Sequence, residues 1–165
     1  MTTISFEQIL EHVRAADSAY HKLVVLAAPS RNGKTKALRA VSESLNLPLV
    51  NFSLLMSQKL LGLTRRQRAL QAEEIARNVL DDYEGSALCL DNTELMFDPG
   101  LRLDPLQLLQ DLSRSRLLAA TWNGSFQGGD LTAAYIGHPE YFRRTATGFP
   151  VVTVSQGQFE LHLTT

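Results

Sequence analysis

This sequence predicts an α/β protein whose sheet is mostly parallel and covered by helices on both faces. Three observations carry that prediction. Short apolar runs recur at residues 22–28, 49–52, 87–90, 117–122 and 151–154. Segments with helical spacing separate most of them. Polar and glycine-containing stretches follow the runs, beyond what would be their carboxyl ends. Strands alternating with helices are the pattern of parallel strands joined by crossovers, and unbroken apolar runs suit strands buried on both faces.

The elements follow in order. Phe6, Ile9, Leu10 and Val13 fall on one helical face, and Ser5 with Gln8 has capping-box spacing, so a helix is expected from Ser5 to about Ala19. The run 22–28 is the first strand. Leu38, Val41 and Leu45 mark a helix from Gly33 to Leu45 that stops before Pro48. Leu49 to Phe52 is the second strand. Ala72, Ile75, Ala76, Val79, Leu80 and Tyr83 trace one face of a long helix from Arg65 to Tyr83, with Gly85 as its stop. Ala87 to Leu90 is the third strand. Asp104-Pro105 is an N-cap with proline at the first helical position, opening a helix through Leu112. Leu117 to Trp122 is the fourth strand, Gly124 to Asp130 a glycine-rich loop, Pro139 to Thr145 a short helix, and Val151 to Val154 the fifth strand. Residues 156–165 add an edge strand, Phe159 to Leu163, after a turn at Gly157.

Composition narrows the function classes. The 165 residues suit one domain, residues 1–20 being a helix packed on it. An apolar fraction of 44% is enough for a buried core. A net charge of −1 does not mark the chain as an electrostatic DNA binder, which leaves DNA contact to a local patch. The single cysteine, Cys89, excludes a disulfide scaffold within the chain. No run approaches the about 18 apolar residues of a membrane span. The opening MTTISFEQIL lacks the basic n-region of a secretory signal, so a cytoplasmic protein with no membrane partner is expected. His12, His21, His138 and His162 show no metal-ligand spacing.

The strongest chemical signal is Ala28-Pro-Ser-Arg-Asn-Gly-Lys-Thr35, placed between a strand and a helix. It matches the last three positions of the Walker A pattern G-x-x-x-x-G-K-[ST], with Ala28 in place of the first glycine. Gly33 allows a close backbone turn. A helix start offers free N–H groups and a positive dipole end to phosphate. Lys34 adds a point charge and Thr35 a hydroxyl for Mg2+. Ser30, Arg31 and Asn32 complete the loop, and Ala28 serves provided its φ is negative. The implied ligands are ATP and Mg2+.

Ala87-Leu-Cys-Leu-Asp91 puts a carboxylate at a strand end, suited to the Mg2+ water shell. The next position carries Asn92, whose amide takes no proton at neutral pH. Glu94 is the substitute candidate for a general base, so hydrolysis is expected to be slow. Asn123 after the fourth strand could orient a water or touch the γ-phosphate, with Thr121 as the alternate. Arg143 and Arg144 are candidate arginine fingers for a neighbouring subunit's nucleotide; Arg114 and Arg116 stand behind them. Arg65, Arg66 and Arg68 crowd a helix start that would favour acids, a placement that suits contact with a partner.

Gly33-Lys34-Thr35, Asp91 and Asn123, with a strand between the first two motifs, resemble the core of additional-strand P-loop ATPases such as AAA+ proteins. More narrowly, Ala28 to Thr35, Thr121 to Gly124 and Gly137 to Arg143 resemble the small BrxF-type P-loop proteins of type III BREX phage-defence systems. The resemblance implies a three-layer α/β/α P-loop NTPase fold on a five-stranded sheet, in one domain over residues 1–165. A helical lid is not expected, because little follows Val154. It implies a bacterial host, other defence-system proteins as partners, DNA nearby and a nucleotide-dependent homo-oligomer. Two other functions stay open: a small-molecule kinase, and a structural nucleotide-binding module with little turnover.

Overall fold

The computed structural model describes residues 2–164; Met1 and Thr165, the outer ends of the 1–20 and 156–165 segments, lie outside the described residues. In chain order the elements are β1 (Thr2–Ile4), α1 (Phe6–Ala15), β2 (Leu23–Ala28), α2 (Lys34–Leu45), β3 (Leu49–Asn51), α3 (Phe52–Leu60), α4 (Arg65–Asn78) and β4 (Ala87–Asp91). There follow α5 (Pro105–Leu112), β5 (Leu117–Asn123), β6 (Ser125–Gln127), β7 (Asp130–Ala133), β8 (Phe142–Thr145), β9 (Pro150–Ser155) and β10 (Gln158–Leu163). Single 3-10 turns cover Ala16–Ser18 and Glu94–Phe97.

The five apolar runs become β2, β3, β4, β5 and β9, all mutually parallel. The main sheet is larger than the five strands expected. It has seven, ordered β1-β10-β9-β2-β5-β4-β3. β10 runs against β9, and β1 covers β10 on its outer side, so β10 is not the edge.

All six residues of β2 are buried, as a central strand requires. Side chains alternate across a sheet with period two. Val24, Leu26 and Ala28 accordingly enter one core with α1 and α2, through Ile9, Leu10, Val13, Leu38 and Val41. Leu23, Val25 and Ala27 enter the other core, beside Phe52 and Met56 of α3, Ala72 and Ala76 of α4, and Leu109 of α5. The molecule is therefore a mixed α/β structure with apolar cores on both faces of its sheet.

The helix ends follow local chemistry. Ser5 caps α1 in a capping box with Gln8, and Asp104 caps α5 with Pro105 behind it, both as expected. α4 stops at Asn78 rather than Tyr83, and residues 79–83 continue only as turns, Asp81 bonding to Asn78 and Tyr83 to Leu80. α3 was not anticipated. Asn51 caps it by accepting the Leu54 amide at 2.9 Å, and Phe52, Met56 and Leu60 bury one helical face.

A second, antiparallel sheet, β6-β7-β8, corrects two expectations. Residues 124–130 are not a loop but a hairpin. Gly128 and Gly129 turn it with φ of 58° and 85°, pairing Gln127 with Asp130. Residues 139–145 are not a helix, since Phe142–Thr145 pairs with β7 as β8. This sheet is fastened to the end of β5. The Trp122 indole donates to the Thr132 carbonyl at 2.9 Å and lies edge-on to Phe97 and tilted against Phe142. Gly124 lies so close that an added Cβ would stand 1.8 Å from the Thr132 oxygen.

Candidate functional site

β2 ends at Ala28, and the chain turns through Pro29–Gly33 into α2. Ala28, buried at the strand end, is not among the residues with positive φ, which meets the condition set for replacing a glycine there. Arg31 and Gly33 take left-handed φ of 65° and 91°. A Cβ on Gly33 would meet nothing nearer than Val154 Cγ1 at 3.8 Å, so backbone conformation rather than space calls for glycine. Asn32 braces the turn by donating to the carbonyls of Pro29 and Ser30 at 3.2 and 3.0 Å.

The start of α2 differs from that of its fellow helices. α1, α3, α4 and α5 each begin under a side-chain oxygen that accepts an early amide. α2 begins at Gly33 with no such cap. Its first helical backbone bond is Ala37 to Gly33. The amides of Lys34, Thr35 and Lys36 therefore have no intrahelical acceptor, and they sit at the positive end of the helix dipole.

Three parallel strands finish beside this turn. Ala28 of β2 is in register with Asn123 of β5, and Leu90, just before Asp91, with Ala120. The side chains meet accordingly. Thr35 Oγ1 donates to Asp91 Oδ1 at 3.2 Å, and Thr121 Oγ1 donates to the same oxygen at 2.9 Å. Lys34 Nζ donates to Asn123 Oδ1 at 3.2 Å and to the Pro29 carbonyl at 3.4 Å, while Ser30 Oγ donates to Asn123 Oδ1 at 3.1 Å. Burial draws the Lys34 ammonium below the ordinary lysine range; the charges of Glu94 and Asp91 oppose that pull.

The structure thus brings together Ser30, Lys34, Thr35, Asp91 and Asn123. Arg31 lies exposed on the turn. Glu94 is exposed at the start of the 3-10 turn after β4, near enough for its charge to act on Lys34. Asn92 has φ of 51°, and its carbonyl accepts from both the amide and the hydroxyl of Ser53, tying the end of β4 to α3. Asparagine tolerates that conformation, and a glutamate there would be strained. Thr121, weighed as an alternate to Asn123, is buried and steadies Asp91 instead.

Arg143 and Arg144 are not part of this cluster. Both stand on β8 and are held by carboxylates, Arg143 by Asp130 at 2.8 Å and Arg144 by Asp104 at 3.1 Å. Arg114 and Arg116 precede β5, at the opposite end of the parallel strands from the turn; Arg116 donates to the Leu80 carbonyl.

No group of three or more histidine, cysteine or carboxylate side chains could hold a metal among the described residues. The Thr35 hydroxyl and Asp91 carboxylate are hard oxygen donors. They fit a Mg2+ ion that takes its remaining ligands from water and phosphate rather than from a full protein cage.

Sequence reasoning missed a cleft of about 570 Å3 beside the turn. Phe6, Gly33, Ala37, Val154, Gln156 and Phe159 help to line it. Its walls come from opposite ends of the chain, joined because Ile4 of β1 is in register with Phe159 of β10. No spacing rule along the sequence signals such a meeting.

No protein-family model matches the chain, and no curated protein matches it. Among solved structures it is similar to that of C. elegans PCH-2, with a TM-score of 0.38 and 16% identity, over 74% of this chain and 38% of that one. The chain thus spans well under half the length of that protein. No described helix is long and apolar enough to cross a membrane.

Proposed function

We propose that the chain is a P-loop NTPase that binds ATP with Mg2+ on the 28–35 turn and acts as a slow ATPase or nucleotide-gated switch. The observation that carries this reading is the meeting of Lys34, Thr35, Asp91 and Asn123 at three parallel strand ends, under a helix whose first amides are uncapped. Crevices beyond the carboxyl ends of parallel strands are where such sheets take ligands. In this role the α2 amides and Lys34 hold phosphate oxygens, and the purine lies in the cleft between Phe6 and Phe159. Thr35 and Asp91 hold Mg2+, which when bound neutralises charge on the phosphates. Thr121 fixes the Asp91 carboxylate for that task.

Slow turnover is favoured by two features. Asn92 occupies the position after Asp91, and its side-chain amide takes no proton at neutral pH. Glu94, the remaining base candidate, is exposed rather than fixed beside Lys34. Work in a bacterial anti-phage defence assembly, alongside other defence proteins, rests on the resemblance of the 28–35, 121–124 and 137–143 stretches. In such an assembly a second copy of the chain would cover the open side of the nucleotide, with Arg143 or Arg144 leaving its carboxylate partner to reach across.

A calorimetric titration with ATP and Mg2+ tests the binding. Lys34→Ala should weaken affinity at least tenfold, about 1.4 kcal/mol. Unchanged affinity in a folded variant would sink the assignment. Phage plating on cells carrying the wild-type or Lys34→Ala protein tests the setting; equal plating with and without the wild-type protein removes the defence role.

A further inference from the structure

We infer that the groove between the α3–α4 turn and residues 94–101 is a docking site for an acidic, leucine-bearing segment of a partner protein. This inference stands apart from the nucleotide reading. The groove encloses about 680 Å3. Its floor is apolar, built from Leu60 and Leu63 on one side and Leu95 and Leu101 on the other. Ser57, Leu61, Arg65 and Arg68 edge it. Leu54, Ser57 and Leu61 follow one another at helical spacing, so Leu54 belongs to the same face of α3 as the groove. Leu54 and Leu61 are 53% and 74% exposed, an apolar rim that no part of the described chain covers.

The α3–α4 side of this groove is cationic, while the 94–101 side carries Glu94 and Asp98. Between Glu43 and Glu73 the sequence holds no carboxylate, yet it holds Lys59, Arg65, Arg66 and Arg68. That imbalance is local, since the whole chain carries −1. Among the described residues none of these four cations is in an ion pair. Arg68 spends its Nε on the Leu63 carbonyl, which leaves its terminal nitrogens free to form a fork toward a carboxylate. Arg65 and Arg66 occupy the first turn of α4, where the helix dipole disfavours cations. A bound carboxylate would relieve that placement. Asp98, on the far wall, already accepts from the Gly100 amide.

Nucleic acid would also satisfy the cations, but the lining points to a peptide. Single strands are gripped by aromatic side chains on which bases stack, and the groove lining carries none. A leucine floor with Arg65 and Arg68 along one edge instead matches the way an amphipathic segment lays apolar anchors into a groove while its charges meet the edge.

The test is fluorescence anisotropy with a labelled helical peptide of leucine and glutamate, its leucine and lysine counterpart, and a labelled DNA duplex. The proteins are the wild type, Leu61→Asp, the double variant Arg65→Glu/Arg68→Glu, and Lys34→Ala. The substituted groove residues are exposed, and circular dichroism checks that each protein is folded. The glutamate peptide should bind the wild type and Lys34→Ala equally. Leu61→Asp and the arginine double variant should each weaken it about tenfold or more, and added salt should weaken it further. The lysine peptide should not bind. Glutamate-peptide affinity that is absent, or indifferent to both groove variants, overturns the inference. So does tighter binding of the duplex that is lost with the arginines but not with Leu61. Loss of nucleotide binding in Lys34→Ala with peptide binding retained keeps the two sites distinct.

Discussion

Replacing Lys34 by methionine separates what this lysine does to the fold from what it does for a ligand. The residue is 8% exposed, and its ammonium makes two long bonds, 3.2 Å to Asn123 and 3.4 Å to Pro29. A buried charge held so loosely is a net cost to folding. Methionine keeps the length of the stem and removes the charge. Asn123 Oδ1 is not orphaned, because Ser30 Oγ still reaches it. The variant should therefore be more stable by about 1 kcal/mol, raising Tm by roughly 2–4 °C. ATP affinity should move the other way. A cation about 4 Å from a phosphate charge at an effective dielectric of about 20 is worth roughly 4 kcal/mol. Breaking the two existing bonds offsets about 1 kcal/mol each. About 2 kcal/mol remains, a loss of roughly 30-fold in Kd. Scanning calorimetry without nucleotide and titration calorimetry with ATP and Mg2+ read both effects. A Tm that falls by several degrees while Kd stays constant would mean that Lys34 is a structural residue, and the reasoning about its burial and its ligand would both fail.

Four further outcomes are expected. Glu94→Gln should lower ATP turnover about a hundredfold at unchanged Tm, because the residue is exposed; an intact steady-state rate removes it as the base. Gly124→Ala should destabilise by about 1–3 kcal/mol in denaturant melts, since its Cβ would overlap the Thr132 carbonyl that also receives the Trp122 indole; a neutral result would show that the small sheet shifts freely. Burial and the Asp91 charge push the Cys89 thiol up to about 12, so iodoacetamide at pH 8 should label it only after unfolding; rapid labelling of native protein contradicts its placement in the core. Light scattering should show a larger mass with a non-hydrolysable ATP analogue than with ADP, reduced in Arg143→Ala or Arg144→Ala; a monomer in every nucleotide state ends the assembly proposal.

The parallel strands were legible because each is a short apolar run with punctuation at its ends, and both faces of the sheet are buried. The turn at 28–35 was legible because its chemistry is contiguous. What escaped needed partners far away in sequence. Gln127-Gly128-Gly129-Asp130 carries a hairpin signal, two glycines between short strands, but a glycine-rich loop accounts for it equally well until β8 is seen to pair with β7. Pro139 suggested a helix start, whereas Phe142–Thr145 is extended because β7 offers it a ladder. α3 was hidden because Phe52 closes an apolar run and opens a helix at once. Within the candidate site, Asp91 and Asn123 could be named from strand ends, but the Thr121 bond to Asp91 and the Phe6–Phe159 cleft exist only through tertiary pairing.

The position of β2 has a consequence for how the molecule comes together. Its neighbours are β5 and β9, paired through Leu23 with Leu118 and Val25 with Val151. Neither neighbour exists in a nascent chain that has emerged only through α4. Closing such long loops must precede any gain from the pairing, which makes non-local sheets slow to form. The 28–35 turn hangs from the end of β2, and its Lys34 is held by Asn123 at the end of β5. The earliest-synthesised chemical motif is therefore among the last to be shaped, and an emerging chain would carry the residues of the 28–35 turn long before Asn123 could hold them in place.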